Sequence, residues 1–140
     1  MIMKRILAIG IGVLIAGAAY AQTVILQPSG AASIAIVAVR TPALTQSLVI
    51  KASSGNLYSV TATSPLSAGF LMLLNATSLP ADGTVVPTDC VPVSAGGSAT
   101  ISFIPGPPQY FTTGILAVMS STGCFTKTNL TSAFIKALVQ

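Results

Sequence analysis

Residues 55–77 read GNLYSVTATSPLSAGFLMLLNAT, and the fold class turns on how this stretch is read. Between Leu57 and Thr63 the side chains alternate: Tyr58, Val60 and Ala62 on one face, Leu57, Ser59, Thr61 and Thr63 on the other. A period of two with aromatic and β-branched residues predicts a half-buried strand. Residues 64–69, SPLSAG, break the pattern, because proline cannot continue a central ladder and glycine takes unusual backbone angles. Residues 70–74, FLMLL, are apolar at every position, as in a strand buried on both faces. Leu and Met also favour helix, but the run is short and Gly69, Asn75 and Pro80 flank it, which favours strand. The two strands and their turn are expected at the centre of an all-β domain.

The rest of the chain supports that class. Of the 140 residues, 52% are hydrophobic and only 6% charged, which excludes a disordered tail and leaves enough chain for one domain. The formal charge is +4, but Lys4 and Arg5 lie in a segment expected to be removed. Arg40, Lys51, Lys127 and Lys136 against Asp82 and Asp89 then leave 4 − 2 = +2, without a basic cluster, so nucleic acid is not an expected partner. A surface built from Ser, Thr, Asn and Gln suits an exported protein or a subunit of an assembly, since so few charges leave apolar area for a partner to cover.

Residues 1–22, MIMKRILAIGIGVLIAGAAYAQ, have the order of a secretory signal peptide: Lys4-Arg5, an apolar stretch over 6–19, and Ala19-Tyr20-Ala21 as the cleavage motif. The alternative is a retained anchor, but a spanning helix needs about 20 apolar residues and Gly10, Gly12 and Gly17 weaken one. We expect a signal peptide over 1–21 and a mature β-sandwich over 22–140, periplasmic or extracellular, with no membrane association after cleavage.

Further strands are expected at 23–26, 33–39, 47–52, 99–104, 115–120 and 124–128, with short extended pieces at 85–87 and 90–93. Pro92 confines the latter to an edge or bulge. Residues 115–120, ILAVMS, form a second run apolar on both faces, and 132–139, SAFIKALV, allow a strand or a short helix. Eight to ten short strands at this spacing predict a single antiparallel β-sandwich, jelly-roll or immunoglobulin-like.

Cys90 and Cys124 are the only cysteines, and an even count in an exported chain favours a disulfide over two buried thiols. The bridge would close a loop of 34 residues (124 − 90) and stabilise by roughly 3 to 4 kcal/mol. The chain has no His and no Glu, so His-dependent nucleophile systems are excluded within one chain and no metal or cofactor site is expected. Asp82 and Asp89 are the only carboxylate pair; Asp82-Gly83 already reads as a turn, and loop-borne calcium ligation is the better of two weak alternatives to it. Asn75-Ala76-Thr77 and Asn129-Leu130-Thr131 match the N-glycosylation pattern. Tyr110-Phe111, beside the proline-rich loop at 105–108, is the candidate for an exposed contact with a ligand such as a surface glycan; the competing reading is that these rings cap the core.

Four pieces carry a resemblance: residues 55–58 (GNLY), 75–83 (NATSLPADG), 90–93 (CVPV) and 122–128 (TGCFTKT). Over roughly 55–134 the chain resembles small exported proteins encoded in phage and prophage-like regions of proteobacteria. The resemblance implies a virion-surface or tail-associated component and assigns no functional residues. Together these readings lead to a non-enzymatic structural or interaction protein, homo-oligomeric or docked on a larger assembly such as a virion; the alternative is an extracytoplasmic ligand-binding module, with carbohydrate as the candidate ligand.

Overall fold

The computed structural model describes residues 22–24, 35–128 and 133–140. The expected export segment over 1–21, residues 25–26 and 33–34 of the first two expected strands and the Asn129 glycosylation motif lie outside the described residues. Within them the chain forms strands and no helix.

Eight strands build the frame. Four run outward in sequence: β2 (Ile36–Arg40), β3 (Ser47–Lys51), β4 (Gly55–Ser64) and β5 (Gly69–Leu74). Four run back: β7 (Asp89–Val93), β8 (Gly97–Ser102), β10 (Ile115–Ser120) and β12 (Phe134–Val139). Each returning strand pairs antiparallel with its outward counterpart: β7 with β5, β8 with β4, β10 with β3, β12 with β2. This long double hairpin is rolled up by two further pairings, β12 with β4 and β10 with β5. The first sheet has the order β2-β12-β4-β8 and the second β3-β10-β5-β7. Strands that alternate between two sheets in this order make a jelly-roll sandwich. The short β1 (Gln22–Val24) extends the first sheet beside β2, and β9 (Gln109–Phe111) pairs with the start of β4. Among the described residues, β6 (Gly83–Thr84) and β11 (Thr126–Lys127) pair only with each other, as a two-stranded flap separate from the strand ladders of both sheets.

The two strands of 55–77 therefore are not partners. Their turn carries the chain from the first sheet to the second, so β4 and β5 face each other across the core. The expected phase along β4 also changes. Leu57 faces inward with Val60 and Ala62, and the pairing with β12 shifts between Leu138 and Val139. A bulge at Tyr58–Ser59 absorbs the extra residue and reverses the alternation, so Tyr58 does not share the face of Val60. Of the ambiguous C-terminal segment, Phe134–Val139 is strand: Ile135, Ala137 and Val139 are buried while Lys136 and Leu138 are exposed. β7, with Pro92, lies at the sheet edge where a missing N–H is tolerated.

The core between the sheets joins Leu57, Val60, Ile101 and Ile135 of the first to Leu71, Leu73, Ile115 and Met119 of the second. A second cluster sits on the outer face of the second sheet: Met72, Leu74, Leu116 and Val118, covered by Ala76, Leu79, Val85 and Cys90. Both apolar runs, FLMLL and ILAVMS, are thus buried on both faces. Two glycines serve the connections. Gly96 turns β7 into β8 at φ 70°, where an L side chain is strained. At Gly114 a Cβ would meet the Thr77 methyl at 2.8 Å and the Ala76 carbonyl at 2.9 Å.

Candidate functional site

The segments that cover the second sheet are held by three different interactions. Cys90, on β7, is joined to Cys124, just before β11, with Cα atoms 5.8 Å apart. Such pairing belongs to an oxidising compartment. Lys127 of β11 is 2% exposed and its ammonium donates to the carboxylate of Asp82, an ion pair that links the flap's two segments. Ser120, at the end of β10, gives its hydroxyl to the Thr126 carbonyl at 2.8 Å and accepts from the Thr128 amide at 3.2 Å. The Val85 amide donates to the Phe125 carbonyl at 3.1 Å, which extends the β6–β11 pairing by one step. Val85 packs inward, whereas its neighbour Val86 is 84% exposed and Phe125 67% exposed. Two large apolar side chains thus stand in solvent on adjacent segments of a cross-linked flap.

The first sheet presents a different surface. Its outer face carries Thr61 and Thr63 of β4 beside Thr100 and Ser98 of β8. The Thr61 and Thr100 hydroxyls are 2.8 Å apart and those of Thr63 and Ser98 2.7 Å, two hydrogen-bonded rungs of one ladder. Each linked pair of hydroxyls keeps one donor and spare lone pairs for a ligand.

Tyr110 and Phe111 separate across the sheet. Phe111 is opposite Gly55 and is 1% exposed in the core, so its ring caps the interior and does not meet solvent. Tyr110 is opposite Asn56, on the outer face of the first sheet, and is 56% exposed. The carboxylates also separate. Asp82 faces Lys127, and Asp89 accepts the Cys90 amide at 2.7 Å. Among the described residues no three His, Cys, Asp or Glu side chains cluster as metal ligands would.

Asn75 anchors a loop rather than standing apart from it: its amide group donates to the Thr112 hydroxyl at 2.8 Å and accepts from the Thr113 amide at 2.9 Å. The burial of Lys127 was not foreseeable from local sequence, since its partner Asp82 lies 45 residues away. The hydroxyl rungs were half visible, in the alternation of Ser59, Thr61 and Thr63. No family model, curated protein or solved structure matches this chain.

Proposed function

We propose that this protein is an exported, non-enzymatic interaction protein that assembles with further copies of itself or docks on a larger particle such as a virion. The observation that carries this reading is the exposure of Val86 and Phe125 on adjacent, cross-linked flap segments, in a chain with only 6% charged residues. Exposed apolar side chains are common singly, but two on a braced element of a chain with so little charge offer a partner apolar area to desolvate. The disulfide supports an oxidising, extracytoplasmic setting. The jelly roll hosts both shell subunits of viruses and sugar-binding lectin domains; that analogy is compatible with the reading and does not decide it. The test is the native mass of the purified protein beside that of a Val86→Ser/Phe125→Ser variant. An oligomer that the variant loses supports assembly through the flap.

One observation favours a second reading, a carbohydrate-binding module. Tyr110, opposite Asn56 near the start of β4, and the hydroxyl rungs at Thr61 and Thr63 share the outer face of the first sheet, so one face offers a ring for a sugar to stack on and, further along the strand, hydroxyls for hydrogen bonds. Tyr110→Ala tests it by loss of glycan retention. Phe111 is left unchanged, because its removal would hollow the core.

A further inference from the structure

We infer that the outer face of the first sheet is a binding surface for an acidic polysaccharide, gripped through its carboxylates by Arg40 and Lys136. The inference rests on the second reading above and names both the site and the ligand class. Strand register sets four residues in one row across the sheet: Arg40 on β2, Lys136 on β12, Thr61 on β4 and Thr100 on β8. At the usual strand spacing this row runs about 14 Å. Arg40 and Lys136 are both exposed and directly opposite each other. Like charges in facing positions destabilise a sheet. No side-chain carboxylate offsets them here: the chain has two, and Asp82 faces Lys127 on the flap while Asp89 is on β7 in the second sheet. An anion from outside the chain would relieve that repulsion, and arginine can take a carboxylate through two parallel hydrogen bonds.

The next row down explains the shape. Ala38 and Ser59, both small, flank Leu138 on its two sides. They leave a hollow of about 270 Å³ lined by Ala38, Ser59, Thr61, Lys136, Ala137 and Leu138. Pockets for whole small molecules run from roughly 300 to 1,000 Å³. This one falls just below that range and is open to the sheet surface, which suits one ring of a polymer. Its apolar floor of Ala38 and Leu138 fits the C–H face of a sugar, the Ser59 and Thr61 hydroxyls fit its O–H groups, and Lys136 at the wall fits a carboxylate. A nucleic acid is the poorer match, because two cations neutralise few phosphates.

The experiment measures retention of the native, disulfide-bonded protein on polygalacturonate, on neutral galactan and on double-stranded DNA. Polygalacturonate is expected to bind, with galactan and DNA far weaker. Removing one charge-assisted contact by Lys136→Gln should weaken retention about tenfold, and Arg40→Gln/Lys136→Gln more. Lys51→Gln removes a cation from the second sheet and should leave retention within about twofold, since its charge lies off the face. Equal binding to polygalacturonate and galactan would overturn the acidic assignment and leave the carbohydrate reading standing; binding to neither would remove both. An equal loss in Lys51→Gln, or equally tight DNA binding, would reduce the effect to net charge and overturn the inference. Should a variant fail to fold, salt-insensitive retention of the parent protein on polygalacturonate would overturn it as well.

Discussion

Leu116 and Leu138 occupy matching places on the outer faces of the two sheets, one on β10 between β3 and β5, the other on β12 between β2 and β4. Leu116 is wholly buried; Leu138 is 38% exposed. The cause is the presence or absence of a covering segment. After β5 the chain through Ala76, Leu79 and Val85 folds back over the second sheet, and the Cys90–Cys124 bridge and the Asp82–Lys127 pair hold the covering segments. No described segment covers the outer face of the first sheet in that way, and its strands carry Ser, Thr, Lys and Arg there. The sandwich thus has two kinds of outer face: one made into a second core, the other polar and uncovered by any described segment.

Truncation should separate the two faces most sharply. Leu116→Ala opens a cavity in the second cluster and should cost about 3 to 5 kcal/mol, read from urea unfolding. Removing the bridge with Cys90→Ala/Cys124→Ala should cost about 3 to 4 kcal/mol, read from the thermal midpoint of the variant against the oxidised parent. Asp82→Asn takes the carboxylate from beside the buried Lys127 ammonium; with Asp82 itself half exposed, the loss should be about 1 to 2 kcal/mol. The smallest effect belongs to the open face, where Leu138→Ala should cost less than about 1 kcal/mol. A Leu138→Ala loss as large as that of Leu116→Ala would erase the distinction between the faces.

Much of this contrast is legible in the sequence. FLMLL and ILAVMS have no polar residue at alternate positions, so each requires cover on two sides, and both have it. SAFIKALV allows two readings because Ala, Leu and Lys suit a helix as well as a strand; pairing with both β2 and β4 decides for strand. Other features depend on contacts between distant residues. The bulge at Tyr58 appears only against the register of β12, about 80 residues further on. The facing of Arg40 and Lys136 comes from the pairing of β2 with β12, which no local pattern encodes. Tyr110 and Phe111 read alike in the sequence, either as an exposed contact or as rings that cap the core, and strand alternation gives one outcome to each. Lys127 has the composition of a surface residue and is buried because the flap folds its ammonium against Asp82.

Whether the exposed apolar flap brings copies or partners together is decided by native mass. Light scattering on the purified, disulfide-bonded protein at micromolar concentration would be run beside the Val86→Ser/Phe125→Ser variant. We expect a mass of two or more chains for the parent and a single folded chain for the variant. A parent that remains one chain, and that retains no partner from the particle fraction of its host, would contradict assembly through the flap.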